Sequence, residues 1–371
     1  MSTVRRVPFY GMAREFDEIG HEILDASEAA YRTGSLLDGE LVAQLEVTLA
    51  SLSGRQHARM VNSCTDAIYF ALVAAGVGSG DEVLVPDFSF AGTLAAVLRT
   101  GATPVFVDVC DNYLIDLELA TEAVTPKTRA LVFVQLYGRL EEPNPVESFV
   151  RRHDIALIVD GAQSFGAAIH GRHSGSIGIA SCHSFDPMKV IAAPGSGGAV
   201  LTDDQEIAEH VEQLRRWGYS NETFVRVGFN SRMSSVVAAV LTAKLQHEER
   251  WLKRRRSIAS TYSKHFSELP CEIPDAGEWR EHIFHKYVIR TPRRDDLARG
   301  LSEVGIETII HYPYVLHELP FMQQHHHRVV TRGVAKRLSQ EVVSLPIHPY
   351  LTEQEIDHVV ANVKKILLQP R

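Results

Sequence analysis

Residues 155–163 read Ile-Ala-Leu-Ile-Val-Asp-Gly-Ala-Gln, an unbroken apolar run closed by a carboxylate and a glycine turn. A run without polar alternation suits a strand buried on both faces, the condition of a parallel sheet covered by helices. Outward from it, further short runs rich in apolar and β-branched residues occur at 83–86, 104–109, 130–135, 180–185 and 198–202. Helix-like segments at 65–75, 92–100 and 145–153 separate them, each ending near a glycine or a polar residue that can stop it. The alternation predicts an α/β fold with a mainly parallel sheet sandwiched by helices.

A chain of 371 residues exceeds the length at which one core keeps growing, so a large domain over 1–247 and a smaller one over 248–371 are expected. Apolar residues at helical spacing predict a long helical stretch over 233–262, with the boundary inside it near Glu248. Strand-like 283–290, helical 293–303 and a helical tail over 352–368 predict a small C-terminal α+β domain. Residues 311–322, rich in Tyr, His and Pro, read as a loop.

A formal net charge of -8 makes polyphosphate backbones poor partners, so no nucleic acid is expected. The basic run 253–256 sits beside Glu248, Glu249 and Trp251 and reads as a solvated helical face. Cys64, Cys110, Cys182 and Cys271 show no Cys-x-x-Cys spacing, which argues against a zinc ribbon or a disulfide framework. The triplet His325, His326 and His327 lacks a carboxylate or thiol at ligand spacing, so no metal is expected. The N-terminus opens with Arg5 and Arg6 and then mixed polar residues, with no apolar stretch long enough for a signal peptide or spanning helix, and the expectation is a cytoplasmic protein without a membrane partner.

Ligands of open α/β sheets sit beyond the carboxyl ends of the strands. Asp160 ends one such strand, and the next ends in Ser-Phe-Asp-Pro-Met-Lys over 184–189, followed by a glycine-rich turn over 195–198. An acid and an amine from neighbouring strand ends can flank one small aromatic cofactor. Pyridoxal phosphate needs this arrangement: a lysine to bind it and shuttle protons, and a carboxylate to keep its pyridine nitrogen protonated. Taken singly, such a lysine reads as a surface residue and such an aspartate as a helix cap. Gly195, Gly197 and Gly198 precede a strand instead of opening a helix after one, which argues against a dinucleotide fingerprint.

Eleven segments, taken in order, carry a resemblance: NSCTDA (62–67), GDEVLV (80–85), PDFSFAGT (86–93), GATPVFVD (101–108), LYG (136–138), DGAQSFG (160–166), SFDPMK (184–189), GSGG (195–198), GFNSRM (228–233), HYP (311–313) and SLP (344–346). Together they resemble the DegT/StrS family of sugar aminotransferases, which have fold type I of the aspartate aminotransferase superfamily. That resemblance implies a seven-stranded sheet and pyridoxal 5'-phosphate as cofactor. It makes Lys189 the Schiff-base lysine, Asp160 the partner of the pyridine nitrogen, and Gln163 a neighbour of the phenolic oxygen. Cys64 and Thr65 match the pair that opens a phosphate-binding helix, where free N–H groups and the helix dipole attract a dianion; Ser184 would add a hydroxyl. Phe90 matches an aromatic that stacks on the ring, although it reads equally well as core. Asn230 matches an asparagine supplied by the other subunit, implying a homodimer with shared active sites.

The family's activity is transfer of an amino group, usually from glutamate, to a nucleotide-linked keto sugar. His311 and Tyr312, with His317 nearby, fall in the loop that approaches the sugar, while packing or a surface loop also accounts for His317. Asp186 stands where members that aminate carbon 3 of dTDP-linked 6-deoxy sugars often carry tyrosine, so carbon 3 and carbon 4 both stay open. Gln135 and Cys64 depart from a common histidine and a common glycine. A keto-cyclitol acceptor keeps the same fold and cofactor. A dehydratase is disfavoured because dehydratases resembling the family replace the lysine by histidine. A catalytically silent regulatory homologue is disfavoured because Asp160, Gln163, Ser184, Lys189 and Asn230 are retained together.

Overall fold

The computed structural model describes residues 6–278 and 280–369; the first five residues of the N-terminal stretch searched for a signal peptide lie outside the described residues. Helices α1 (Met12–Arg32) and α2 (Glu40–Ser53) precede an alternating series: β1 (His57–Val61), α3 (Cys64–Ala74), β2 (Glu82–Pro86), α4 (Ala91–Arg99), β3 (Thr103–Val107), α5 (Leu117–Ala123), β4 (Thr128–Val134), α6 (Asn144–His153) and β5 (Ala156–Asp160). A small ribbon of β6 (Ala168–Ile169) and β7 (Arg172–His173) leads to β8 (Ala180–Ser184), β9 (Gly198–Thr202) and α7 (Gln205–Arg215). A hairpin of β10 (Tyr219–Ser220) and β11 (Thr223–Phe224) is followed by α8 (Ser235–Leu245), α9 (Glu248–Phe266), β12 (Tyr287–Arg290) and α10 (Arg294–Glu303). The chain ends with β13 (Arg328–Val330), α11 (Val334–Glu341), β14 (Val342–Leu345) and α12 (Glu353–Leu368).

The main sheet runs β1-β9-β8-β5-β4-β2-β3-β13. All neighbours from β8 to β13 are parallel, and β9 is antiparallel to both of its neighbours. Every residue of β2, β8 and β9 is buried, which is why, apart from Glu82 and His183, these strands read as apolar or small without alternation. Burying each Val, Leu or Ile side chain contributes about 1.5–3 kcal/mol, so the two-sided sheet anchors the large core. The sheet has eight strands where seven were expected. The edge strand β13 comes from the C-terminal part of the chain and pairs with β3 from Arg328 opposite Val105 to Val330 opposite Val107. It is short and partly exposed, so it carries no buried-strand pattern in the sequence.

A second core gathers α9, β12, α10, β14 and α12 around Tyr262, Phe266, Tyr287 and Val359, and Val7 from the N-terminal segment packs into it. The long helical stretch expected over 233–262 is two helices, broken at Gln246 and His247 without proline or glycine. The break is held from outside. His247 Nε2 meets Glu22 Oε2 at 2.8 Å, and the buried Lys244 ammonium donates to Glu15 and to the Ala192 carbonyl, so α1 fixes the change of direction. The basic run 253–256 is not a wholly solvated face: Arg255 is buried and its guanidinium donates to the carbonyls of Phe284 and Ile347 at 3.1 and 2.8 Å. Among the described residues, no helix is long and apolar enough to cross a membrane, and no group of three or more His, Cys, Asp or Glu could hold a metal ion.

Candidate active site

The carboxyl ends of β5 and β8, the start of α3 and the segment before β12 enclose a cavity of about 250 Å³. Asp160, the last residue of β5, is buried on its wall. Thr93 Oγ1 donates to its Oδ2 at 2.6 Å and the Ala162 N–H donates to its Oδ1 at 3.1 Å. Burial nevertheless holds its pKa above the ordinary carboxylate value, against the pull of those hydrogen bonds and of Lys189. Beyond β8 the chain folds back on Asp186, whose Oδ1 accepts the Met188 N–H at 3.0 Å and whose carbonyl accepts the Lys189 N–H at 2.9 Å. That turn brings the Lys189 amine to the cavity. Burial pushes its pKa down, while Cys64, Asp160 and Asp186 oppose the shift.

At another corner, Ser63 caps α3 by accepting the Asp66 N–H at 3.1 Å. Ser63, Cys64, Thr65, Ser184 and Ser196 line the wall there, so hydroxyls and free helix N–H groups converge on one spot. The corner closes because residue 198 is glycine: a Cβ on Gly198 would meet the Ser63 carbonyl carbon at 2.4 Å and the Cys64 nitrogen at 2.6 Å. The buried Cys64 thiol has its pKa raised well above the ordinary value, first by burial and then by Asp160, so it stays protonated. Gln163 is held at both ends, its Oε1 accepting the Tyr137 N–H at 2.8 Å and its Nε2 donating to Tyr312 Oη at 3.1 Å. Burial keeps the Tyr312 phenol neutral. His311 Nδ1 meets Ser344 Oγ at 2.8 Å, and burial, with Lys286 and Lys189 nearby, pushes its pKa down to about 3. Phe90 is 55% exposed at the cavity edge, its ring tilted against Tyr312 at 5.9 Å.

Ten residues singled out from the sequence therefore meet in one cavity: Cys64, Thr65, Phe90, Asp160, Gln163, Ser184, Asp186, Lys189, His311 and Tyr312. Two do not line it. His317 turns away and pairs with buried Asp87, its Nδ1 at 2.6 Å from Oδ2 and its N–H donating to Oδ1 at 3.0 Å, an anchor for the loop and not a cavity contact. Asn230 is exposed beyond the hairpin of β10 and β11. The cavity also contains residues not read as functional: Tyr10, Ser63, Thr93, Ser196, His285 and Lys286. Ser63, Thr93 and Ser196 lie within the motifs NSCTDA, PDFSFAGT and GSGG, a local signal that marks them. Tyr10 and Lys286 come from segments 276 residues apart and carry no motif.

The arrangement is that of a fold type I pyridoxal phosphate transferase, with its ligand cavity at the carboxyl ends of a parallel sheet. The chain belongs to the DegT/DnrJ/EryC1/StrS aminotransferase family, whose model matches residues 17–364. It is 36% identical to a dTDP-3-amino-3,4,6-trideoxy-alpha-D-glucose transaminase of Micromonospora megalomicea subsp. nigra over 95% of this chain and 96% of that one. It is 35% identical to a "pleiotropic regulatory protein" of Geobacillus stearothermophilus over 96% and 97% of the two chains. The solved structure of S. venezuelae DesV matches with a TM-score of 0.94 at 33% identity, covering 99% of this chain and all of that one. Pyridoxal phosphate is the family's cofactor. The residues present fit it: a buried carboxylate suits a pyridinium nitrogen, the α3 corner suits a phosphate dianion, and Lys189 lines the same cavity.

Proposed function

We propose that this aminotransferase moves an amino group from glutamate to a nucleotide-linked keto sugar, at carbon 3 or carbon 4 of a keto-deoxyhexose, in amino-sugar biosynthesis. The observation that carries the assignment is the placement of Lys189 and Asp160 on one cavity from neighbouring strand ends. Bound pyridoxal phosphate supplies an electron sink for the substrate carbon that loses or gains a proton. Lys189, its pKa already depressed, holds the cofactor and carries that proton. Asp160 keeps the proton on the pyridine nitrogen, Gln163 approaches the phenolic oxygen, and Phe90 covers a ring face. Cys64 through its N–H, Thr65 and Ser184 receive the phosphate. His311 and Tyr312, both neutral, orient the sugar, and Asp186 lies where it influences ring position.

A homodimer with shared sites belongs to the same reading. Phe224, Val225 and Val227, at the end of the hairpin and just after it, are 67%, 50% and 86% exposed before Asn230, and exposed apolar side chains there suit a partner surface. The division into a large domain over 1–247 and a smaller one over 248–371 fits the separate second core, with β13 and Val7 crossing between them. Four unpaired cysteines support a reducing, cytoplasmic setting.

The test is spectroscopic. Protein reconstituted with pyridoxal phosphate should show a visible absorption band, and glutamate should bleach it. Borohydride reduction followed by peptide mapping should mark Lys189 and not Lys286, the second amine on the cavity, and Lys189→Ala should lose turnover. Absence of the band would favour a silent regulatory homologue; a label on Lys286 would displace Lys189 from its role.

A further inference from the structure

Lys286 precedes β12 and borders the cavity that holds Lys189 and Asp160. It is 5% exposed, and the contacts of its amine are aromatic and phenolic. Nζ donates to Tyr10 Oη at 3.3 Å and lies 4.6 and 5.2 Å from the ring centroids of Tyr10 and Phe9. Among the described residues no ion pair satisfies it; Lys189 and Arg255 act on it as like charges, and Asp186 is the acid that acts on it through space. A buried amine without an anion is costly to ionise, and aromatic faces offset only part of that cost. Two aromatic rings, one of them carrying the phenol, thus pack against an amine whose side chain borders the cavity of Lys189 and Asp160.

We propose that Lys286 is the specificity-determining residue that receives a substrate carboxylate in this cavity. The inference rests on the aminotransferase reading above and extends it. Burial and then Lys189 and Arg255 hold the Lys286 pKa far below its ordinary value, and an incoming carboxylate would restore its proton, so the anion and the ammonium stabilise each other. Two substrates could bring the carboxylate: the amino donor, or a sugar acceptor oxidised to a uronate.

The experiment uses Lys286→Met and Lys286→Gln holoenzymes, with Lys286→Arg as the charge-retaining control, each retained only if its visible band and unfolding midpoint match wild type. Stopped-flow absorbance follows band loss with glutamate and band return with 2-oxoglutarate, with a neutral nucleotide-linked keto sugar and with its uronate counterpart. The neutral variants should raise the half-saturating concentration of the carboxylate ligand about tenfold or more, with the limiting rate changed less than about threefold, and arginine should restore most of the loss. A shift confined to glutamate and 2-oxoglutarate identifies the donor as the source; one confined to the uronate identifies the acceptor. Unchanged half-saturation with every ligand, or an equal shift with the neutral keto sugar, overturns the proposal. A wild type that never responds to glutamate overturns the parent reading, and this one with it.

Discussion

The Asp160 carboxyl accepts hydrogen bonds from Thr93 and from the Ala162 N–H, and among the described residues no cation contacts it. Its pKa is raised above 3.8 chiefly by burial, so the folded chain holds this proton to higher pH than the unfolded chain does. Stability therefore falls as pH rises from 3.8 through the raised value, and above it the buried charge remains a standing cost. Asp160→Asn should stabilise the cofactor-free protein at pH 7 by about 1 kcal/mol and flatten that part of its stability–pH profile. Turnover should fall about a hundredfold or more, because an amide cannot hold the pyridinium proton. Denaturant melts of the cofactor-free protein across pH, beside steady-state rates, check both halves. At the same scale, His317 lies near the loop that the family resemblance brings to the sugar, with packing as the alternative reading, and in the fold Asp87 holds its Nδ1 and its backbone N–H.

Between α3 and β9 the decisive contact is backbone against backbone. Gly198 leaves no room for a Cβ beside Ser63 and Cys64, so Gly198→Ala must push the opening turn of α3 away from the strand. Overpacking of this kind costs about 1–3 kcal/mol; if it falls on the phosphate corner, cofactor affinity should drop about tenfold or more. Titration of the visible band with pyridoxal phosphate measures this, and an unchanged affinity would remove the α3 corner from cofactor binding. Elements were legible where their pattern is intrinsic. The strands β2, β5, β8 and β9 are buried on nearly every position and announce themselves. The edge strand β13 and the joint between α8 and α9 do not, because one is half exposed and the other is fixed by Glu22 and Glu15 of a distant helix.

For the whole molecule, the exposed apolar residues at the end of the hairpin and just after it are a feature a single chain leaves unexplained. If Phe224, Val225 and Val227 meet a second copy, Val227→Glu, at the most exposed of the three, should shift the protein from dimer to monomer in light scattering. The same variant should weaken the visible band, since Asn230 then lacks a neighbouring cavity to complete. A monodisperse dimer with an intact band would place the interface elsewhere.

The sequence by itself determined the α/β class, the strand that ends in Asp160 and the strand that precedes Lys189, because these depend on local apolar runs, and its short motifs, through the family resemblance, pointed to ten residues of the cavity wall. Tertiary structure alone decided that Tyr10 and Lys286 face the same space, that His317 serves Asp87, and that an eighth strand joins the sheet. Those facts depend on contacts between segments hundreds of residues apart, and no local periodicity or composition encodes such a contact.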